Sequence, residues 1–134
     1  MRPATLAALL FLATSAGTPL LADPARDAIL AELAKAAGGE AFSAARGEAF
    51  FTATHTGGKP DTPSCASCHG TDPAKGGQTR AGKAIEPMAV SVNPKRFTDP
   101  AEVDKWFKRN CSSVLGRECT AAEKGDVLTW LIGK

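Results

Sequence analysis

The fold is predicted to form around one stretch, Cys65-Ala66-Ser67-Cys68-His69. Two cysteines three positions apart, with a histidine directly after the second, are typical of the attachment site for haem c. Each thiol can form a thioether bond with one haem vinyl group, and the histidine can then bind the iron as the proximal ligand. We therefore expect one covalently bound haem c, held by Cys65 and Cys68, with His69 as an iron ligand.

The residues on either side of this stretch agree with a haem-binding turn. Pro63 and Ser64 precede it and predict a loop that leads into a single helical turn. Gly70 follows it, so the chain can turn away from the porphyrin without a side chain in the way.

Two other interpretations of a Cys-x-x-Cys pair are weaker. A zinc site needs four ligands, and the remaining cysteines, Cys111 and Cys119, are eight positions apart rather than about two to four. A thioredoxin-like redox pair needs a βαβ pattern around it, and the sequence contains none. Haem attachment is therefore the preferred interpretation.

Residues 1–22 are interpreted as a cleaved secretory signal peptide. Arg2 supplies the positive charge near its start, and the apolar run 6–12 is too short to span a bilayer as an uncleaved anchor. Small residues follow this run, and cleavage after Ala22 is favoured over cleavage after Ala16. Export predicts a periplasmic protein, because haem c is attached outside the cytoplasm, and it permits disulfides.

The remaining residues, 23–134, are expected to form one small cytochrome c domain. The full chain has 16 basic and 14 acidic side chains and a formal net charge of +2. So small an excess gives no indication of nucleic acid or an acidic membrane surface as a partner. The sequence contains no internal repeat, and we expect a monomer.

Four helices are predicted, so the fold class is all-α. Asp23, Asp99 and Thr120 are good N-cap residues for three of them. Gly47 and Phe51 mark the buried face of the second helix, which is expected to cross the last helix. The stretch 71–93 is rich in Gly, Lys and Pro and is predicted to wrap the haem as a loop. The predicted helices are 24–37, 43–54, a third that begins at residue 100, and a fourth that runs from residue 120 to the C-terminus.

Three residues are candidates for the sixth iron ligand. Met88 lies in the loop after the haem motif, and its thioether is suited either to binding iron or to filling a gap beside a ring. His55 ends the second helix, where a histidine more commonly interacts with the last carbonyls. Asn110 lies on the same helical face as Trp106 and Phe107, and its alternative role is an exposed helix C-cap.

The loop and its surroundings also supply candidates for the haem pocket. Apolar residues that are expected to form pocket walls are Ile85, Met88, Val90 and Val92. Basic residues that are candidates to neutralise the haem propionates are Arg80, Lys83 and Arg96.

Cys111 and Cys119 are expected to form a disulfide, because an exported protein folds in an oxidising compartment. Closing so short a loop stabilises a protein by about 2–3 kcal/mol in the chain-entropy model. The bond would also fix the backbone beside Asn110. A redox-active thiol pair stays open as the alternative, because spacing alone does not give a reduction potential.

The order of these features resembles the class I cytochrome c fold, and the C-terminal third resembles one family closely. The matching stretches are Arg96-Phe97-Thr98-Asp99, Lys105-Trp106-Phe107-Lys108-Arg109-Asn110-Cys111 and Leu115-Gly116-Arg117-Glu118-Cys119-Thr120-Ala121-Ala122-Glu123-Lys124. They resemble the signature of the sphaeroides haem protein family, which are oxygen-binding, high-spin c-type cytochromes of bacteria. The similarity extends over most of residues 23–134.

The resemblance implies that Asn110 is the distal haem ligand and that Cys111 and Cys119 form the disulfide beside it. A neutral side-chain amide is a weak ligand, so reduction is expected to release Asn110 and to open a coordination position for O2, NO or CO. The electron donors that the resemblance implies are a dihaem cytochrome c and a membrane cytochrome b.

Two other functions stay open. The first is a low-spin electron-transfer cytochrome in which His69 is paired with Met88 or His55. The second is an enzyme such as a peroxidase, which needs an acid–base residue near the open coordination position. His55 is the only spare histidine in the sequence. We therefore expect a redox and ligand-binding protein rather than an enzyme.

Overall fold

The structure is a computed structural model that describes residues 23–134, so the predicted signal peptide and its cleavage site lie outside the described residues. Within this range the chain forms five helices and one two-stranded sheet. None of these helices is long and apolar enough to cross a membrane. The predicted all-α class is confirmed. The elements are α1 (Pro24–Ala36), α2 (Ala44–Thr52), α3 (Ala66–His69), β1 (Gly77–Gln78), β2 (Ala84–Ile85), α4 (Pro100–Leu115) and α5 (Ala121–Ile132).

Three helices begin directly after the residues that the sequence predicts as N-caps. The Asp23 carboxylate accepts hydrogen bonds from two backbone N–H groups in the first turn of α1, and Asp99 does the same at α4. Thr120 and Glu123 form a complete capping box at the start of α5. Each bond satisfies an N–H group that has no partner within the helix, so these short-range signals determine the helix starts.

Two helix ends differ from the prediction. α2 ends at Thr52, slightly earlier than predicted, because Ala53 adopts an extended conformation with φ −63° and ψ 149°. α4 continues past Asn110 to Leu115, and its C-cap residue Gly116 has a φ of 69°, which is left-handed and suits glycine. Asn110 is therefore a half-buried residue inside a helix, and the alternative of an exposed C-cap is wrong.

The main core lies where α2 crosses α5. A Cβ atom on Gly47 would collide with the backbone oxygen of Asp126, so only glycine allows the two helices to approach this closely. Beside this point the rings of Phe51 and Trp130 are 5.1 Å apart between centroids. The predicted crossing at Gly47 and Phe51 is therefore confirmed. The buried residues of this core are Phe51, Val127, Trp130 and Leu131.

A second buried cluster surrounds a disulfide between Cys111 and Cys119. The Cα atoms of the two cysteines are 5.6 Å apart, within the usual range for such a bond. Val114 and Leu115 are buried in the same cluster. The predicted disulfide is confirmed, and it ties α4 to the start of α5.

The predicted loop 71–93 contains a short hairpin. β1 and β2 pair in antiparallel fashion, with Gly77 opposite Ile85. A Cβ atom on Gly77 would collide with the backbone oxygen of Cys68, so the hairpin lies directly against the Cys-x-x-Cys-His turn. The prediction of an irregular loop is wrong at this point, because strands of two residues are too short to show a period in the sequence.

Candidate functional site

The Cys-x-x-Cys-His stretch forms one helical turn, as the sequence predicts. The hydroxyl groups of Ser64 and Ser67 each accept a hydrogen bond at 3.1 Å from the backbone N–H of the other residue, and this fixes the start of α3. Gly70 then takes a φ of 73°, which lets the chain leave the turn sharply. Local sequence therefore positions the two thiols and the imidazole on one short element.

A cavity of about 530 Å³ adjoins this turn and extends between α2, α4 and α5. Its volume falls in the range of cofactor sites, roughly 300–1,000 Å³. Aromatic and aliphatic side chains form the largest group among its lining residues, which suits a flat apolar macrocycle. The lining includes Phe50, Phe51, Ile85, Met88, Phe97, Val103, Trp106, Phe107, Val127 and Leu131.

The two thiols of the turn line this cavity and are free rather than bonded to each other. Burial raises the pKa of the Cys65 thiol to about 11, so this thiol is protonated at neutral pH. Within residues 23–134 there is no cluster of three or more His, Cys, Asp or Glu side chains that could hold a metal ion. This finding argues against the zinc interpretation of Cys65 and Cys68.

His69 lines the same cavity with a neutral imidazole. Burial, together with the positive charge of Arg96, lowers the pKa of His69 below its usual value. Its ring lies 5.8 Å from the ring of Phe51 between centroids. The Nδ1 atom is buried and has no hydrogen-bond partner in the part of the chain that the structure describes. A neutral imidazole that lines the cavity is suited to binding a metal.

Asn110 enters the cavity from α4. Val103 and Phe107 lie on the preceding turns of the same helical face, and all three line the cavity. Asn110 is half-buried, and the next residue, Cys111, is buried and fixed by the disulfide. The structure therefore brings Asn110 and His69 to one cavity, although they are far apart in the sequence.

Met88 and His55, the other two candidates for an iron ligand, have different surroundings. Met88 lines the cavity and also packs against the core cluster that contains Phe51. His55 is not among the residues that line the cavity. Its Nε2 atom lies 2.8 Å from the carbonyl oxygen of Phe50. His55 therefore has the helix-end role that the sequence favours, and the structure does not bring it to the cavity.

The predicted pocket walls are only partly right. Ile85 and Met88 line the large cavity, but Val90 is buried outside it and Val92 is 52% exposed. Val90 instead faces the core, where its N–H donates to the Leu131 carbonyl at 3.4 Å. Sequence spacing could not separate these positions, because the segment around them has no regular period.

Of the three basic candidates, the structure places two at the large cavity. Lys83 and Arg96 line it. Arg96 donates from Nε to the Pro87 carbonyl at 2.9 Å and from Nη2 to the Glu86 carbonyl at 2.7 Å, and burial lowers its pKa. Arg80 is not among the residues that line the large cavity, and its Nε lies 2.9 Å from Oδ2 of Asp61. The structure therefore does not support the expectation that Arg80 neutralises a haem propionate at the large cavity.

Sequence analysis missed one residue that supports the site. Arg26 of α1 is 4% exposed, and its Nε donates to the backbone oxygen of Arg96 at 2.9 Å. Its Nη2 also donates to the backbone oxygen of Pro94. Phe97, which lines the cavity, follows directly with a φ of 62°. Arg26 therefore holds the segment that carries Arg96, a role that no local pattern indicates.

A second, smaller cavity of about 230 Å³ was also missed. It shares four lining residues with the larger cavity, namely Cys65, Cys68, His69 and Asn110. Its other lining residues are Lys59, Asp61, Thr62, Ser64, Arg80, Ser113 and Val114. They come from distant parts of the chain, so only the folded structure brings them together.

Comparison with known proteins agrees with this architecture. The model of a family described as a domain of unknown function (DUF1924) matches residues 37–131. The cytochrome c-type protein SHP of Cereibacter sphaeroides is 53% identical over 123 residues, which cover 92% of this chain and 95% of that protein. Cytochrome c'' of Methylophilus methylotrophus is 37% identical over 94 residues, which cover 69% of this chain and 65% of that protein.

Two solved structures are similar to this fold. The structure of oxidised SHP, described as an oxygen-binding cytochrome c, matches with a TM-score of 0.79 and 53% identity over 81% of this chain and 96% of that one. The crystal structure of oxidised cytochrome c'' from Methylophilus methylotrophus matches with a TM-score of 0.66 and 32% identity over 80% of this chain and 92% of that one.

The fold and the site together define a class of protein, the c-type cytochromes, for which a haem c is the expected cofactor. The cavity fits that cofactor, because two free thiols, a neutral imidazole, many apolar side chains and several cationic side chains line the same volume. The chain belongs to the sphaeroides haem protein family of c-type cytochromes.

Proposed function

We propose that this protein is a periplasmic monohaem cytochrome c that takes up an electron and then reversibly binds O2 or another small diatomic molecule. When bound, the haem supplies an iron that changes oxidation state and holds the diatomic ligand. Cys65 and Cys68 would hold the haem covalently, and His69 and Asn110 would be the two side chains that bind its ferric iron, with Asn110 as the weaker ligand. The observation that carries the proposal is the presence of Asn110 in the same cavity as His69.

Asn110 is suited to leave the iron on reduction. A neutral amide oxygen is a hard, weak donor, so it binds ferric iron adequately and ferrous iron poorly. The disulfide at Cys111 holds the backbone of α4, so the side chain of Asn110 can rotate away while the helix stays in place. Once displaced, its amide N–H can donate a hydrogen bond to a bound diatomic molecule.

Met88 is the competing ligand, and its contacts favour a packing role. It packs against the cluster that contains Phe51, and the Phe51 ring contacts His69. The Met88 N–H donates to the Pro73 carbonyl at 2.9 Å, which fixes its backbone. Met88 therefore belongs to the packing around Phe51, whereas Asn110 directly precedes Cys111 of the disulfide. The alternative function, a low-spin electron-transfer cytochrome, requires Met88 as the sixth ligand.

The similar proteins support a displaceable ligand. SHP is described as oxygen-binding. A solution structure of cytochrome c'' from Methylophilus methylotrophus, matched with a TM-score of 0.68 and 32% identity, is described as giving insight into haem-ligand detachment. By this similarity, we extend the detachment of a haem ligand to Asn110.

Further parts of the proposal concern partners and location. The proposed electron donors are a dihaem cytochrome c and a membrane cytochrome b. The protein is proposed to act as a monomer in the periplasm. Nucleic acid is not proposed as a partner. We propose no catalytic role, because His55, the spare histidine, is held by the Phe50 carbonyl instead of lining the cavity. Cell fractionation and amino-terminal sequencing of the mature protein test its location and the cleavage site.

Replacing the proposed distal ligand tests this function. Asn110→Val keeps a similar size but cannot bind iron, so the ferric protein should become five-coordinate, as seen in its optical and EPR spectra. Met88→Leu is the matched control and should leave both spectra unchanged. Unchanged ferric coordination in Asn110→Val would refute the assignment of Asn110, and a changed spectrum in Met88→Leu would support the electron-transfer alternative.

A further inference from the structure

The smaller cavity differs in chemistry from the larger one. Among its described lining residues outside the Cys-x-x-Cys-His turn, Val114 alone is apolar. Asn110 lines both cavities. A polar volume of about 230 Å³ therefore adjoins the residue that is proposed to leave the iron. The polar lining residues are Lys59, Asp61, Thr62, Ser64, Arg80, Asn110 and Ser113.

One side of this polar cavity is rigid, because the loop before the haem motif is fixed to the end of α4. The Lys59 N–H donates to the Ser113 carbonyl at 2.7 Å, and the Thr62 hydroxyl donates to the same carbonyl at 3.3 Å. A Cβ atom on Gly58 would collide with that carbonyl oxygen, so the loop and the helix are in close contact. The Ser113 carbonyl is therefore already bonded, and its partial negative charge is compensated.

The charges around the cavity favour an anion. Arg80 and Asp61 form an ion pair with 2.9 Å between Nε and Oδ2, so their charges largely offset each other. Lys59 forms no salt bridge with any other residue in 23–134. Because the charges of Arg80 and Asp61 offset each other, the charge of Lys59 gives the cavity a net positive charge. This charge raises the local concentration of small anions.

We infer that the small polar cavity binds a small monovalent anion and delivers it to the ferric iron, where the anion displaces the weakly bound Asn110. This inference rests on the function proposed above, because it requires Asn110 to be displaceable. The ligand class is a small linear or planar anion such as azide or nitrite. Lys59 attracts the anion and Asp61 opposes that attraction, whereas a neutral ligand such as NO gains nothing from either charge.

Two substitutions with opposite expected effects test the inference in the ferric haem protein. Lys59→Gln should lower the association rate of azide about fivefold, and Asp61→Asn should raise it about threefold, because steering by local charge changes association rates on this scale. Stopped-flow absorbance in the haem band measures these rates. Both residues are exposed, so neither change is expected to disturb the fold.

Two controls separate local charge from general effects. NO is neutral and also binds ferric haem, so its association rate should stay the same in both variants. Lys75→Gln removes an exposed lysine that pairs with Asp72 at 3.5 Å and lies outside the cavity, so it should leave the azide rate unchanged. Higher ionic strength should reduce the difference between Lys59→Gln and the unsubstituted protein.

A third variant distinguishes failure of this inference from failure of the proposed function. If Asn110→Ala accelerates azide binding but Lys59→Gln and Asp61→Asn do not change it, the function stands and the anion site is refuted. If Asn110→Ala leaves the rates of azide and NO unchanged, Asn110 does not control the coordination position, and both proposals fail.

Discussion

Two buried ring nitrogens, Nδ1 of His69 and Nε1 of Trp130, have no hydrogen-bond partner within residues 23–134. Each such group costs about 1–3 kcal/mol when it is buried without a partner. Both rings contact Phe51, with centroids 5.8 Å away for His69 and 5.1 Å away for Trp130. A hydrogen-bond acceptor at Nδ1 makes an imidazole a stronger ligand. His69 has no such acceptor among the described residues. We therefore expect His69 to be only a moderate donor to iron.

The unpaired nitrogen of Trp130 leads to a prediction about stability. Trp130→Phe should lower the free energy of unfolding by about 1 kcal/mol or less, because losing an unpaired N–H offsets the loss of ring volume. Trp130→Ala, which leaves a cavity, should cost about 3–5 kcal/mol. Urea unfolding followed by circular dichroism measures both. A loss for Trp130→Phe as large as that for Trp130→Ala would show that the indole N–H makes a stabilising bond.

At the scale of elements, the junction between α4 and α5 is held by three kinds of interaction. The disulfide between Cys111 and Cys119 closes it covalently. Glu123 accepts a hydrogen bond from the Thr120 N–H at 2.8 Å and completes the capping box. Arg117 also donates to both carboxylate oxygens of Glu123, at 2.8 and 2.7 Å. This junction holds the end of the helix that carries the proposed distal ligand.

Glu123 should make the stability of this junction depend on pH. The hydrogen bond from Arg117, followed by weaker contributions from Thr120, holds the pKa of Glu123 below the ordinary value of 4.5. A lowered carboxyl pKa contributes stability above the unfolded value, and this contribution is lost as the pH falls through the folded value. Glu123→Gln should therefore be less stable than the unsubstituted protein at pH 7, and the difference should shrink below about pH 4.5.

Chemical unfolding at several pH values measures this difference. Glu118→Gln is the matched control, because Glu118 is exposed and lies 3.8 Å from Nζ of Lys108, so its removal should have little effect. A stability difference for Glu123→Gln that stays constant from pH 7 to about pH 3 would contradict the assigned role of the carboxylate.

The disulfide between Cys111 and Cys119 should also make a predictable contribution to the free energy of unfolding. Replacing Cys111 and Cys119 together by serine should lower the free energy of unfolding by about 2–3 kcal/mol, because the unfolded chain regains the entropy of a short loop. Guanidinium unfolding of the haem protein, with and without a thiol reductant, measures the effect. The unsubstituted protein should lose stability in the reductant and the double variant should not. Equal stability of the two proteins without reductant would contradict a structural role.

At the scale of the whole molecule, the parts that sequence could predict are those determined by neighbouring residues. Local patterns predict the Cys-x-x-Cys-His turn and the N-caps at Asp23, Asp99 and Thr120, and the structure contains all of them. The crossing at Gly47 joins two distant helices, but the glycine that permits it is visible in the sequence. The disulfide could be inferred from cellular location rather than from spacing. These features are enough to give the all-α class and the position of the haem motif.

The parts that sequence could not predict depend on contacts between distant segments. The burial of Arg26 against the segment at Arg96 joins residues 70 positions apart. The smaller cavity requires the loop at Lys59 to lie against the end of α4. Residue type predicts that Arg80 and Val92 belong to the haem pocket, but type alone does not show which way a loop residue faces.

The central claim is that the sixth coordination position is open once the iron is reduced, and the kinetics of carbon monoxide binding test it most directly. Flash photolysis or stopped-flow mixing of the ferrous protein with carbon monoxide gives the observed rate as a function of ligand concentration. Because Asn110 has already left, we predict fast binding whose rate rises linearly with carbon monoxide concentration. A rate that reaches a plateau at high concentration, or no binding at all, would show that a strong internal ligand still holds the ferrous iron and would contradict the account.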